Sequence, residues 1–244
     1  MPTIIAFTSG SKGGTGKSTL SVATSVILSS KFKTLLVDCG GKCTRFLLEL
    51  FGVKSIDEVP PPYLHDLVKN IEKSPYYIYS YEVPVDKFKV SLSIIPEIRT
   101  LTDREAEEAA RLILYLKRVL KTLDFIILDF PATNIFRYDT LLKVADTLVI
   151  VLQESFIRDI ALEVFGIMER IGSKSYIGVI NKAVGLEDTA EEFFGNQVVK
   201  VPFDENLRLL PVSLNFLNSI NKETAKALSQ IAFLLYKSRK NKSL

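Results

Sequence analysis

Ser11-Lys12-Gly13-Gly14-Thr15-Gly16-Lys17-Ser18-Thr19 follows an apolar, strand-like run over residues 3–8 and opens a helical pattern over residues 19–30. A glycine-rich turn that joins a strand to a helix and ends in Lys-Ser/Thr is built to hold a polyphosphate. Its backbone N–H groups converge on phosphate oxygens, the lysine reaches the β- and γ-phosphates, and the next hydroxyl ligates Mg²⁺. Glycines let the main chain come close, because a Cβ at those turns would collide with the nucleotide. The strict pattern G-x-x-x-x-G-K-[ST] is not met, since Ser11 stands where its first glycine belongs. The stretch reads instead K-G-G-x-G-K-[ST], with a second lysine, Lys12, ahead of the glycines.

Outward from this loop, strand-like and helix-like segments alternate almost to the end of the chain. Short apolar runs at residues 34–37, 90–95, 125–128, 147–152, 176–180 and 198–201 read as strands. Helical spacing appears at 19–30, 44–50, 64–71, 103–121, 157–171 and 222–237. Strands apolar on both faces and separated by helices predict an α/β fold, a mostly parallel twisted sheet covered by helices on both faces. No linker divides the 244 residues, so a single domain over 1–244 is expected. Residues 55–84 are the least regular. They contain the break Pro60-Pro61-Pro62 and the run Tyr76-Tyr77-Ile78-Tyr79-Ser80-Tyr81, which suit an added hairpin or a surface elaboration, its rings packing against the body of the protein.

Bulk properties set limits. Hydrophobic residues make up 47% and charged residues 24%, an ordinary balance for a soluble globular protein. A net charge of +3 neither requires nor forbids a polyanionic partner, because local patches matter more than the sum. Two cysteines, Cys39 and Cys43, argue against a disulfide-stapled secreted protein. Without a signal-peptide layout or an apolar run of roughly 18 residues, a cytoplasmic location is expected. The cysteines lack Cys-x-x-Cys spacing and read as small packing residues; His65, the only histidine, stands beside the proline break and is not assigned to catalysis.

Two acids support the loop. Asp129 ends the apolar strand 125–128 and suits a carboxylate that holds Mg²⁺ through water, and Asp38 ends the strand 34–37. Both fall at the carboxyl edge of a parallel sheet, where open α/β folds bind ligands.

With these residues in order, the chain resembles the deviant-Walker P-loop ATPases of the ParA/MinD group over nearly its whole length. The similarity rests on Lys12 to Ser18, on Leu36-Val37-Asp38 and on Leu128-Asp129-Phe130-Pro131-Ala132. It continues through Val144-Ala145-Asp146-Thr147, Ile177 to Lys182 and Val201-Pro202-Phe203-Asp204. The resemblance implies an ATP-dependent homodimer with ATP and Mg²⁺ as cofactors. ATP would meet Lys12, Gly13, Gly14, Thr15, Gly16, Lys17, Ser18 and Thr19, with Asn181, Pro202 and Asp204 around the adenine. Mg²⁺ would be held by Ser18, Asp129 and Asp38. Lys12 would be the signature lysine that crosses to the partner's phosphates, serving hydrolysis with Lys17 and Asp38. One departure stands out: members of the group carry Asp-x-Asp after the second strand, and here Gly40 takes the second position. Slow hydrolysis, or a substitute acid, is the expected result.

The resemblance leaves two partner readings. In the favoured one, the dimer binds DNA without sequence preference and segregates chromosome or plasmid DNA with a ParB-like centromere-binding partner, in a nucleoid-associated location. The basic C-terminal residues Lys237, Arg239, Lys240 and Lys242 would meet phosphates, helped by Lys222 and Lys226. In the other, a MinD-like C-terminal amphipathic helix with Ile231, Leu234 and Leu235 attaches the protein to membrane. The same apolar positions would equally dock the last helix on the sheet.

Overall fold

The computed structural model describes the chain except residues 42, 86–87, 134, 173, 184–188, 196, 209–218 and 241–244. Eight strands form one sheet: β1 Thr3–Thr8, β2 Thr34–Asp38, β3 Tyr79–Val85, β4 Phe88–Ile95, β5 Phe125–Asp129, β6 Thr147–Leu152, β7 Ser175–Ala183 and β8 Val198–Pro202. Their order is β3-β4-β2-β5-β1-β6-β7-β8, parallel throughout except for the antiparallel pair β3/β4. The α/β architecture expected from the sequence is therefore present, with β1 at the centre.

Strands β1, β2, β5 and β6 are buried at every position, as helical cover on both faces demands. The two-residue repeat of a strand divides the core in two. Ile4 and Ala6 of β1 face α3 (Leu64–Leu67), α4 (Asp103–Val119), α5 (Asp139–Lys143), α6 (Ile157–Ile171) and α7 (Thr189–Phe194). Ile5 and Phe7 face α1 (Lys17–Ser29), α2 (Thr44–Phe51) and the last helix, α9 (Lys222–Lys240). A short α8 (Glu205–Arg208) follows β8.

Sequence periodicity placed α4 well. Thr102 accepts from the backbone N–H of Glu105, and the Glu105 carboxylate returns to the Thr102 N–H, closing a capping box. Ala106, Ala109, Ala110, Ile113 and Leu116 form its buried stripe. The region 55–84 differs from the simple helical reading. The helix at 64–71 is only one turn, Leu64–Leu67, followed by a 3₁₀ segment Ile71–Tyr77 and then β3, which lies antiparallel on β4 as an edge hairpin. Tyr79 and Tyr81 pack edge-on against Phe51 of α2, at 6.3 and 4.8 Å between ring centroids. The hairpin and packing alternatives are thus both realised, while Tyr76 and Tyr77 stay exposed.

The last helix lays Leu228, Ile231 and Leu235 into the core and docks against α1 and β8. Its apolar side is spent on the sheet, which favours docking over membrane attachment for these residues. No described helix is long and apolar enough to cross a membrane.

Candidate functional site

The loop after β1 lies at the carboxyl edge of the sheet, at the strand where neighbours diverge to β5 on one side and β6 on the other. Gly16 caps α1 with φ 86° and no side-chain cap, and there is no acid in the first turn, so the helix N-terminus is left open to an anion. The loop residues Gly14 to Thr19 and Ala132 line a cavity of about 220 Å³. Thr15 and Lys17 are buried, whereas Gly13, Gly14, Ser18 and Thr19 reach the surface or lie near it.

Two supports for this loop come from β7. Asn181 Nδ2 donates to the Thr15 carbonyl at 2.7 Å, and a Cβ on Gly16 would sit 2.1 Å from that nitrogen, so glycine is required there. Lys182 Nζ donates to the Gly14 carbonyl at 3.0 Å. Lys182 has φ 59°, the only positive φ outside glycine among the described residues, where the β7/β8 register slips. Asn181, expected at the adenine edge, is tied to the phosphate loop itself. Lys182 had no role assigned from sequence, although its position directly after Asn181 was the available signal.

A second group comes from α6. Glu163 accepts the Ser11 N–H at 3.0 Å through each oxygen and the Ser11 hydroxyl at 2.9 Å. Lys12 Nζ lies 3.5 Å from Asp159 and 4.7 Å from the centre of the Phe156 ring. Asp159 and Glu163 are one helical turn apart and face the same loop. Ser11, the residue that broke the strict pattern, is thus the one that α6 holds. Sequence reasoning had no signal for these partners, which lie about 150 positions away along the chain.

The acids meet as expected. Asp38 and Asp129 are fully buried and lie in register on β2 and β5. Asp38 accepts from the Gly40 N–H at 3.0 Å and the Cys43 N–H at 2.8 Å. Asp129 accepts from the Cys43 thiol at 3.3 Å through Oδ2, while its Oδ1 is buried with no hydrogen-bond partner. An orphaned carboxylate oxygen beside a second buried carboxylate fits a cation, because burying such charge unpaired costs several kcal/mol. The residues therefore suit Mg²⁺, which Asp129 and Asp38 would hold with the Ser18 hydroxyl. Burial raises the Cys43 thiol well above its usual pKa, and the charges of Asp38 and Asp129 and the hydrogen bond to Asp129 add to this; Lys17 pulls the other way.

Gly40 packs on Pro131: a Cβ there would stand 2.5 to 2.8 Å from the Pro131 ring carbons. The second acid of the group's pattern is therefore missing, and one placed there would press on Pro131. His65 is committed to structure, donating its backbone N–H and presenting Nδ1 to the buried Glu97 at 2.9 and 2.7 Å.

Pro202 and Asp204, expected around the adenine, stand at and just beyond the end of β8. Asp204 accepts from the N–H groups of Asn206 and Asn221, at 2.9 and 2.8 Å, and ties the end of β8 to the start of α9. Burial opposes its charge, yet the hydrogen bonds from these N–H groups hold its carboxyl below the ordinary range. Pro202 closes β8. Arg239 is engaged by Asp124 at 2.6 Å and lies over Phe125, so it is not a free phosphate contact. Lys242 lies outside the described residues. Lys222, Lys226, Lys237 and Lys240 are exposed, and at 100° per residue they fall within about 60° of one another around α9. The exposed Phe233 belongs to the same stripe, with Lys237 Nζ 4.9 Å from its ring centre.

Residues 2–168 match the model of a family described as an AAA domain. No curated protein sequence matches the chain at a significant level. Among solved structures, the septum site-determining protein MinD of Pyrococcus horikoshii, complexed with Mg-ADP, is similar at 22% identity and TM-score 0.72, covering 95% of each chain. The ParA family ATPase of Chlorobium tepidum is similar at 20% identity and TM-score 0.69, covering 95% of this chain and 98% of that one. A putative plasmid partition protein of Borrelia burgdorferi, bound to AMPPNP, is similar at 19% identity and TM-score 0.72, covering 97% and 99%.

Proposed function

The chain belongs to the AAA-domain family matched over residues 2–168 and has the ParA/MinD fold, and from this we propose that it is a ParA-type partition ATPase. In this reading ATP and Mg²⁺ join two copies. The dimer binds DNA without sequence preference and moves it with a ParB-like centromere-binding partner, in the cytoplasm on the nucleoid.

The observation that carries the DNA reading is the lysine stripe of α9. From Lys222 to Lys240 it runs about 27 Å along the helix. Its opposite face is buried, so the helix is fixed with its charge outward. Each phosphate neutralised contributes about −0.9 to the log–log salt slope. The membrane reading loses its apolar face to the core.

The chemistry follows from the loop. Lys17 and the N–H groups of Gly14 to Ser18 hold the nucleotide's own phosphates, and α1 adds its positive end. Mg²⁺, when bound, supplies charge neutralisation across the phosphate oxygens. Lys12 exchanges Asp159 for the partner's phosphates on dimerisation. An exposed pair such as Lys12–Asp159 contributes about 0–1 kcal/mol, whereas a charge-assisted phosphate contact contributes roughly 1.5–3 kcal/mol. The exchange therefore favours the dimer. With Gly40 against Pro131, no acid at that position orients water, and intrinsic hydrolysis is slow.

Retardation of random duplex DNA tests the reading. Retardation should require ATP, should weaken as salt rises, and should lose roughly three to four units of slope in the Lys237→Ala, Lys240→Ala double variant, which removes both lysines from each copy of the dimer. Sedimentation with anionic liposomes and no DNA retardation would establish the membrane alternative instead.

A further inference from the structure

We propose that Asp38, Cys43 and Asp129 form a site for a thiophilic divalent cation, of which Zn²⁺ is the representative, overlapping the Mg²⁺ position. One donor atom from each residue lies within 4.8 Å of the others, and all three residues are buried. The Cys43 sulfur is 3.3 Å from Asp129 Oδ2. Tetrahedral zinc with Zn–S of about 2.3 Å and Zn–O of about 2.1 Å places its donors roughly 3.5 Å apart, so this edge of the cluster already has the spacing. The second observation is Asp129 Oδ1, fully buried without a partner. A buried carboxylate oxygen without a hydrogen-bond partner, beside a thiol and another carboxylate, is a ligand atom available to a cation.

The donor set also discriminates between ions. Mg²⁺ takes hard oxygen ligands and has little use for sulfur, whereas thiolate ligation selects zinc-like ions, and zinc stands high in the general affinity order of divalent metals. Two carboxylates and a thiolate make three protein ligands with a fourth position left for water or phosphate, the tetrahedral arrangement zinc takes, whereas Mg²⁺ demands octahedral oxygen ligation with several waters. On binding, the Cys43 thiol proton, now donated to Asp129, leaves to solvent and sulfur takes the metal, so one proton is released for each ion bound. Cys39 is not part of the cluster; its thiol points to the Val37 carbonyl at 3.7 Å. The consequence for the nucleotide site is competition: a bound thiophilic ion occupies the two carboxylates that Mg²⁺ needs. None of this depends on DNA or on dimerisation.

Titration of the full-length protein with Co²⁺, without nucleotide, tests the proposal. One equivalent should give a sulfur-to-cobalt charge-transfer band that Zn²⁺ abolishes. The band should be kept in Cys39→Ser and absent in Cys43→Ser, whose Zn²⁺ dissociation constant should rise at least about tenfold. A wild-type protein without the band, or a Cys43→Ser variant that retains it, overturns the proposal. A measurement on the unaltered chain guards against a misfolded variant: Zn²⁺, but not Mg²⁺, should slow alkylation of Cys43. Equal rates with the two ions overturn it as well. Because no ATP is present, failure of the ATPase reading would leave these outcomes unchanged.

Discussion

Gly40 shows how one residue sets a limit on chemistry. Its Cβ position is taken by Pro131, so restoring the acid found in the ParA/MinD group works against packing. Gly40→Asp should destabilise the protein by about 1–3 kcal/mol, as overpacked sites do, in urea unfolding. It should leave phosphate release slow; release raised to a rate typical of the group, with unchanged stability, would remove the steric argument. The sequence showed that an acid was missing but not that Pro131 crowds its place, because the contact joins two loops about 90 positions apart. Cys43 was legible in the same partial way. Its spacing from Cys39 suggested packing, while its meeting with Asp129 depends on the parallel pairing of β2 and β5.

At the scale of elements, local signals were read correctly where they act locally. The Thr102–Glu105 capping box, the apolar stripe of α4 and the all-apolar inner strands are patterns within a few residues, and each produced the expected element. The edge strand β3 was only half legible, since a tyrosine-rich run beside prolines acquires its structure from pairing with β4 and packing on Phe51. The cap itself carries a pH signature. The Arg99 guanidinium, donating to Glu105, holds that carboxyl down at about 2 from an ordinary value of 4.5, with burial opposing and the Thr102 N–H and hydroxyl assisting. A depressed carboxyl stabilises the fold above its unfolded pKa and loses that contribution as pH falls. Glu105→Gln should therefore cost about 1 kcal/mol at neutral pH. In urea melts the difference should fade between about pH 4.5 and pH 2; a gap that persists at pH 2 would exclude the ionic cause.

For the whole molecule, two sets of contacts from distant elements meet at the loop. β7 steadies it from one side through Asn181 and Lys182, and α6 holds Ser11 and Lys12 from the other. This long-range arrangement was invisible in the sequence, although the loop's own role was not. In sedimentation velocity, ATP and Mg²⁺ should shift the wild-type chain from one copy to two, and Lys12→Ala should remain a single copy. A wild type that stays single at saturating ATP would refute the shared-lysine dimer. Asp159→Asn should pair at lower protein concentration, because Lys12 has less to give up.

The seat of Lys12 on Asp159 also bears on how ionic strength acts on the protein. If Lys12 leaves Asp159 for a phosphate in the proposed dimer, one ion pair replaces another and few net counterions change hands. The proposed engagement of DNA by α9 would instead form ion pairs for lysines that, among the described residues, have no carboxylate to give up, and so would release counterions. Rising salt should therefore strip the protein from nucleic acid well before it parts the two subunits, leaving a window in which a nucleotide-loaded pair drifts free of its track.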